Sequence, residues 1–301
     1  MKLLTYKIEQ KARLGVLSKD EEWVFPLRSM GIEYEDMMDL VRGISDSEKQ
    51  LIDYMLEKHA DSPYGILGAA RLEEVTIEAP IIHPGQDIIC LGINYMAHAE
   101  ESARYKNEAF DGTREYPVYF SKRVNQATAC GREIPSHKKI TERLDYEAEL
   151  AVIIGKEASH VSVEEAEQYV FGYTIMNDIS ARDIQNRHKQ WYFGKSLDGA
   201  APMGPWIVTR ESLPYPPELS VQSRVNGEIR QDSNTSLMIF GISYVISELS
   251  QGMTLMPGTI ISMGTPAGVG MGFDPPRFLE SGDEVECIIE GIGNLKNTIG
   301  K

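Results

Sequence analysis

The arrangement of short apolar runs along the chain constrains the fold more than any other feature. Eight runs combine β-branched, aromatic and other apolar residues in a way that is typical of strands. Helical patterns do not alternate regularly with these runs, so the sequence argues against a doubly wound parallel sheet. The predicted strands cover residues 88–91, 117–120, 147–154, 172–176, 206–208, 219–225, 259–263 and 284–289.

Turn and helix signals favour an antiparallel or mixed arrangement of these strands. Asn226-Gly227 separates two strand-like runs and predicts a tight hairpin, because a type I′ turn needs positive φ at both central residues. One helix is predicted to begin at Ser162 with Glu165 as its capping partner, and another covers residues 242–249. We therefore expect a β-rich α+β fold, with a mixed β-roll or β-sandwich as its main part.

A break near residue 79 suggests two domains. Residues 79–85 contain two prolines and a glycine, which interrupt regular structure. Before the break, strand-like runs precede a helix near Ser47, where Ser47 and Gln50 form a capping-box pattern. We predict a small N-terminal α+β domain at 1–78 and a β-roll domain at 79–301.

Composition argues against several kinds of partner. The chain has 45 acidic and 30 basic residues and a formal charge of −15, so its surface repels nucleic acid and anionic lipid. No apolar run approaches the ~20 residues of a membrane span, and the first residues lack the apolar core of a secretory signal. Three widely spaced cysteines fit reduced thiols. We expect a cytoplasmic protein that binds neither nucleic acid nor membranes.

A group of carboxylates at the start of one strand is the main candidate for chemistry. Alternate side chains of a strand share a face, so Glu147 and Glu149 are predicted to project together with Asp145. Carboxylates held side by side repel each other unless a cation compensates them. Oxygen donors favour a hard ion, Mg²⁺, Mn²⁺ or Ca²⁺, over Zn²⁺. The alternative is an acidic strand face that is simply solvated.

A second group of charged residues follows the run that ends at Asn177-Asp178. Asp178 provides a third carboxylate, unless it only caps a helix. Asp183 is better explained as a charge in the first turn of a helix. Arg182 and Lys195 are either surface charges or the positive side of a pocket that accepts an anionic substrate.

Two further segments complete the candidate site. If residues 92–101 include a helix, His98 and Glu101 are neighbours at i and i+3, and the carboxylate would orient the imidazole as a general base. An exposed histidine beside a glutamate often has no such role. The glycine-rich segment 264–272 lacks the Gly-Lys-Ser/Thr ending of a phosphate loop, so we expect it to allow close approach of a ligand instead.

Taken together, these segments resemble the fumarylacetoacetate hydrolase family, in particular its bacterial members related to oxaloacetate decarboxylases and acylpyruvate hydrolases. The resemblance covers roughly residues 85–300. The matching pieces, in the family's order, are Gly92-Ile93-Asn94-Tyr95 with His98, Asp145 to Leu150, Asn177-Asp178 through Asp183, Gly194-Lys195-Ser196, and Gly264 to Gly270.

The resemblance implies a β-roll domain, a homodimer and a set of site residues. It implies that Glu147, Glu149 and Asp178 bind Mg²⁺ or Mn²⁺. It also implies a catalytic dyad of His98 and Glu101 on a lid that orders when substrate binds. The residues expected to contact the substrate's carboxylate and oxo groups are Arg182, Gln185, Lys195 and Thr265.

The family relationship leaves several reactions open. We place hydrolysis of a 2,4-dioxo acid of the acylpyruvate type first, with Lys195 and Gln185 stabilising developing negative charge. Decarboxylation of oxaloacetate is a close alternative, because both reactions pass through an enolate. The same site could also serve a keto–enol isomerase. An isomerase of unsaturated hydroxy-diacids or a dehydratase of sugar acids comes next. A non-catalytic binding module is the remaining alternative, although His98, Glu101, Lys195 and the three carboxylates are all present.

Overall fold

Strands dominate the computed structural model, which describes residues 1–109, 112 and 114–301. The strands are β1 Lys2–Ile8, β2 Lys11–Leu17, β3 Trp23–Pro26, β4 Ala70–Arg71, β5 Thr76–Ile77, β6 Ile88–Gly92, β7 Val118–Lys122, β8 Glu133–Ile134, β9 Leu144–Asp145, β10 Ala148–Ile154, β11 Val170–Asn177, β12 Ser180–Ala181, β13 Met203–Thr209, β14 Ser220–Val225, β15 Glu228–Asn234, β16 Ile260–Ser262, β17 Glu284–Ile289 and β18 Gly293–Ile299. The α-helices are α1 Met37–Gly43, α2 Asp46–Lys58, α3 Met96–Lys106, α4 Arg182–Arg187, α5 Tyr192–Lys195 and α6 Ile242–Gly252.

The largest sheet is open and mixed. Its order is β4-β3-β2-β1-β13-β11-β10-β16-β6-β7, with β5 paired to β1. Most neighbours are antiparallel, whereas β16 and β6 are parallel. A second sheet has the order β15-β14-β17-β18-β8, and β9 pairs with β12. The prediction of a β-rich α+β fold with mixed sheets, and without a doubly wound parallel sheet, is therefore confirmed.

Strand β10 shows why the sequence has an unbroken apolar run. Leu150, Val152 and Ile154 belong to the core cluster that also contains residues of β14, β17 and α6. Ala151 and Ile153 point to the opposite side, into a cluster with residues of α1 and α2. Because both faces are buried, no polar alternation remains within this run.

Local predictions are confirmed in part. Asn226 and Gly227 have φ values of 51° and 80° between β14 and β15, which confirms the hairpin. Helix α6 agrees with the predicted helix at 242–249. The helix predicted from Ser162 is wrong: Ser162 Oγ does donate to Glu165 Oε2, but a turn and a 3₁₀ helix at Ala166–Tyr169 follow.

The predicted capping box was placed two residues late. Helix α2 has Ser45 as its N-cap, and Ser45 Oγ accepts a hydrogen bond from Glu48 N. Glu48 Oε2 in turn accepts one from Ser45 N at 2.8 Å. Both pairs have the same i and i+3 spacing, so the pattern alone did not distinguish Ser45-Glu48 from Ser47-Gln50.

The N-terminal strands join the main sheet. Lys2 and Leu3 of β1 pair with Val208 and Ile207 of β13, and β13 then pairs with β11. The sheet is thus continuous across the predicted boundary between 1–78 and 79–301. The division into two domains remains a prediction. Within the described residues, no helix is long and apolar enough to cross a membrane.

Candidate metal centre and active site

Three buried carboxylates meet at the end of the β10–β11 pair. Glu149 lies in β10, Glu147 directly precedes this strand, and Asp178 directly follows β11. The register pairs Ala148 with Asn177, so the two strands bring these positions side by side. One carboxylate oxygen from each residue lies within 4.8 Å of those of the other two, and all three residues are buried. The structure brings together the three predicted ligands.

Asp145 does not join this group, contrary to the prediction that it projects with Glu147 and Glu149. The two strands β9 and β10 are separate, so the alternation of side chains is interrupted between Asp145 and Ala148. Asp145 Oδ1 accepts from Gly270 N at 2.6 Å, and Oδ2 accepts from Met271 N at 3.0 Å. Its carboxylate therefore anchors the glycine-rich segment.

Buried cations surround the carboxylates. Lys195 Nζ lies 2.5 Å from Glu147 Oε2 and 2.6 Å from Asp178 Oδ2. These attractions raise the pKa of Lys195 although burial alone would lower it. Lys122, whose role the sequence analysis missed, places Nζ 2.7 Å from Asp178 Oδ1. None of the five segments that carry the resemblance includes Lys122.

Arg182 links the buried carboxylates Asp145 and Glu147 to Gln185. Its Nε donates to Asp145 Oδ2 at 2.8 Å, and Nη1 lies 2.7 Å from Glu147 Oε1. Nη1 also donates to Gln185 Oε1 at 3.1 Å. Nη2 is buried and has no hydrogen-bond partner in the described part of the chain. One donor of the guanidinium is thus available for an anionic ligand.

Buried carboxylates outnumber the buried cations beside them. Apart from Glu101, which lies against His98, four buried carboxylates, Asp145, Glu147, Glu149 and Asp178, face three buried cations, Lys122, Arg182 and Lys195. Among the described residues Glu149 forms no ion pair; its Oε2 accepts from Ser262 Oγ at 2.5 Å and from Gly264 N at 3.1 Å. Burial, followed by Asp178 and Glu147, raises the pKa of Glu149. A bound cation would remove this penalty on the ionised form, and an all-oxygen donor set suits Mg²⁺ or Mn²⁺.

The pKa of Glu147 shifts in the opposite direction to that of Glu149, because cations lie beside Glu147. Burial opposes its ionisation, but Lys195 and Arg182 outweigh this and lower its pKa. The neighbouring carboxylates Glu147 and Glu149 therefore differ in environment although they lie two residues apart. Glu147 is neutralised by protein cations, whereas Glu149 is the carboxylate left for an external cation.

Helix α3 holds the predicted dyad above the carboxylates. His98 Nδ1 lies 3.0 Å from Glu101 Oε2, and both residues are buried. This confirms the helical spacing of the pair. Glu101 Oε1 accepts a hydrogen bond from Gly268 N at 3.0 Å. A Cβ on Gly272 would overlap the Glu101 carboxylate, so this glycine permits the close approach. The glycine-rich segment thus accommodates the chain's own helix, which the sequence analysis had not anticipated.

Most predicted site residues line one small cavity of about 30 Å³. Thr265 is fixed there because Oγ1 donates to Ala148 O at 3.0 Å and accepts from Gln231 Nε2 at 2.7 Å. Gln231 and Asn94, which bridges Phe240 and Met263, are buried positioning groups without a predicted role. Glu101 and Asp178 lie behind the wall of the cavity. The predicted residues that line it are His98, Glu147, Glu149, Arg182, Gln185, Lys195 and Thr265.

Comparison with known proteins agrees with this geometry. Residues 87–300 match the family model described as fumarylacetoacetate (FAA) hydrolase C-terminal. Oxaloacetate tautomerase YisK of Bacillus subtilis is 43% identical, and the alignment covers all of both chains.

Solved structures give the same result. A fumarylacetoacetate hydrolase from Exiguobacterium antarcticum has a TM-score of 0.83 and 35% identity, covering 100% of this chain and 99% of the other. Maleylpyruvate hydrolase from Sphingobium sp. SYK-6, solved with manganese(II) and pyruvate, has a TM-score of 0.76 and 26% identity over the whole of both chains. The chain belongs to the fumarylacetoacetate hydrolase family.

Proposed function

We propose that this protein is a divalent-cation-dependent enzyme that interconverts the keto and enol forms of a small 2-oxo acid, with oxaloacetate as the first candidate. The observation that carries the proposal is that His98, which is hydrogen-bonded to Glu101 behind the wall, lines the same cavity as the carboxylates Glu147 and Glu149. A full-length relative that is 43% identical and named as an oxaloacetate tautomerase supports the choice of substrate.

The cation would be held by Glu147, Glu149 and Asp178. Mg²⁺ and Mn²⁺ fit this donor set, and the manganese in the maleylpyruvate hydrolase structure supports the same choice. When bound, such an ion supplies Lewis acidity toward the carboxylate and carbonyl oxygens of a 2-oxo acid.

His98 is the proposed proton carrier. His98 Nδ1–H would donate a hydrogen bond to Glu101 Oε2, which leaves the lone pair on Nε2 to act as the base. For tautomerisation, Nε2 would take a proton from C3 of the keto acid and then return it to the carbonyl oxygen, so that the enol forms and His98 regains its neutral state. The ammonium of Lys195 and the free donor of Arg182 would stabilise the negative charge that develops between these transfers.

A second candidate is hydrolysis of a C–C bond in a 2,4-dioxo acid, which the sequence analysis placed first. The same His98 Nε2 would remove a proton from water, and the resulting hydroxide would attack the distal carbonyl. The likeness to maleylpyruvate hydrolase supports this candidate. Decarboxylation of oxaloacetate is a third use of the site and needs no attacking water.

One experiment separates these reactions. Purified protein with Mg²⁺ or Mn²⁺ would be assayed for loss of enol-oxaloacetate absorbance, release of CO₂ from oxaloacetate and cleavage of acetylpyruvate. Blanks contain the metal alone, the protein with EDTA, or buffer. We expect metal-dependent tautomerisation to be the fastest of the three. Faster cleavage of acetylpyruvate would favour the hydrolase, faster release of CO₂ would favour the decarboxylase, and no turnover above the blanks would reject all three candidates.

A further inference from the structure

One face of helix α3 presents three polar residues to the cavity at regular spacing. His98, Ser102 and Lys106 all line the cavity and follow one another at intervals of four residues. In a helix, residues four apart lie on the same side, one turn above the other. The face that carries the proposed base therefore continues for two further turns and ends in a lysine.

Lys106 has an unusual charge environment for a residue in this cavity. The other lysine and the arginine in the wall, Lys195 and Arg182, are both paired with buried carboxylates. Lys106 forms no ion pair with any carboxylate in the described part of the chain. Its Nζ lies 5.7 Å from the ring centroid of Trp191, a contact that leaves the ammonium's hydrogen-bond donors free. Of the two lysines that line the cavity, Lys106 is thus the one without a carboxylate partner in the described part of the chain.

Lys106 lies where the inner cavity meets an outer hollow on the surface. The inner cavity shares Lys106, Gln185, Asn186 and Trp191 with an outer hollow of about 600 Å³. His98 and Lys106 are separated by eight residues, or about 12 Å along the helix axis. Helical side chains lean toward the N-terminus of their helix, so the lysine side chain leans back toward the level of His98. A small ligand next to His98 would place its far end near Lys106.

We propose that Lys106 binds the second carboxylate of the substrate and thereby selects oxo-diacids over oxo-monoacids of the same length. The proposal rests on the proposed function, since it assumes a 2-oxo acid in this cavity. The first carboxylate and the oxo group would face Arg182, Lys195 and the carboxylate cluster, and the distal carboxylate would face Lys106 and Asn186. Because Lys106 and His98 share α3, binding of the distal carboxylate also holds the base over the substrate.

The test compares two stable ligands that differ only at the far end. Binding of 2-oxoglutarate and 2-oxopentanoate, which both have five carbons, would be measured by calorimetry with Mg²⁺ present. We expect the wild type to prefer the diacid by about tenfold, which corresponds to one charge-assisted contact. Lys106→Met should remove this preference by weakening 2-oxoglutarate alone, and Lys106→Arg should retain it.

Matched variants control for effects that do not involve this contact. Lys58 ends helix α2 and also lies 5.7 Å from an aromatic ring centroid, that of Tyr54, yet it is outside the cavity. Lys58→Met should leave the preference unchanged. Arg143 lines only the outer hollow, where Nη1 donates to Tyr105 OH. Arg143→Met should also leave it unchanged, because the preference depends on contact and not on the general positive charge at the entrance.

Each outcome decides the proposal. A wild type that binds the diacid no tighter than the monoacid, or a Lys106→Met variant that keeps the preference, would overturn it. Loss of the preference in Arg143→Met as well would overturn the assignment to Lys106. Because binding is measured without turnover, a protein that lacks the proposed activity but shows the expected pattern would reject the reaction and still support the role of Lys106.

Discussion

The spacing of single residues predicted part of the carboxylate cluster, and Glu147 and Glu149 are the clearest example. Their spacing of two predicts a shared face, and the structure places both in one cluster with Asp178. The same rule fails at Asp145, because a break between β9 and β10 redirects its carboxylate toward Arg182. Lys122 could not be predicted, since its partner Asp178 is distant in sequence and only the sheet brings them together.

Replacement of Glu149 tests the metal centre at the level of one atom. Glu149→Gln retains the shape but removes the charge of a carboxylate that forms no ion pair among the described residues. Changes in the groups around metal ligands already cost about 10- to 100-fold in affinity, so loss of a ligand should cost more. Mn²⁺ binding, followed by titration calorimetry, and turnover should fall together. Glu100→Gln, at an exposed position of α3, serves as control, and unchanged Mn²⁺ affinity in Glu149→Gln would contradict the assignment.

Replacement of His98 tests proton transfer separately from metal binding. His98→Ala should retain Mn²⁺ affinity and lower tautomerisation and hydrolysis by about 10²- to 10⁴-fold, the usual contribution of a positioned base. Decarboxylation needs no such proton removal and should fall less. The three rates and the Mn²⁺ affinity of one preparation provide the measurement. Equal loss of all three rates would show that His98 serves binding and not proton transfer.

Among the elements, helix α3 and the glycine-rich segment 264–272 form one side of the site. The sequence indicated a helical dyad and a segment that admits close approach. It could not show that the two meet, because a glycine in the sequence does not reveal which group occupies the space beside it. Gly268 and Gly272 receive Glu101, so the position of the dyad depends on this segment.

Gly272→Ala tests this contact between elements. The added methyl group would overlap the Glu101 carboxylate and displace α3, so we expect a loss of turnover of at least about tenfold, as for other misplaced catalytic groups. Mn²⁺ affinity should remain, because the three carboxylates lie on other elements. Gly241→Ala is the matched control, since its Cβ would meet no atom within 4 Å. Equal activity of the two variants would refute the contact.

Ser45→Ala tests where helix α2 begins. The Ser45 side chain accepts from Glu48 N, so its removal should lower the free energy of unfolding by about 1 kcal/mol. Ser47→Ala should have a smaller effect, because within the described residues Ser47 Oγ is hydrogen-bonded only to Ser45 Oγ, at 3.0 Å. Urea unfolding of both variants provides the comparison. A larger loss in Ser47→Ala would support the capping box that the sequence pattern suggested.

On the scale of the whole molecule, the apolar runs predicted the class of fold and eight strands, six in the largest sheet (β6, β7, β10, β11, β13 and β16) and two in the second (β14 and β17). The sequence did not reveal which strands pair when they lie far apart in the chain, and the pairing of β1 with β13 is the main example. Whether 1–78 and 79–301 are separate domains stays a prediction, since the main sheet includes strands from both. The homodimer, the cytoplasmic location and the absence of nucleic-acid partners also remain predictions.

Metal removal should change the stability of the whole chain. A ligand at about 100 times its Kd stabilises the folded state by about 2.7 kcal/mol, or roughly 4 °C in Tm for a chain of this size. We therefore expect EDTA to lower the Tm of wild-type protein by a few degrees and to leave Glu149→Gln unchanged. Calorimetric scans with and without EDTA provide the measurement. No difference for the wild type would argue against a cation bound in the folded state.

The cavity takes its carboxylates from the ends of strands and several other polar residues from helix α3, and this division has an evolutionary consequence. The carboxylates that would hold the ion lie at the ends of central strands, where any change disturbs the core on two sides. Helix α3 carries His98, Ser102 and Lys106 on a single short stretch of chain. New substrate ranges can therefore arise by drift within the eleven residues of α3 while the three carboxylates proposed to hold the ion stay unchanged, and a library restricted to this helix would sample them.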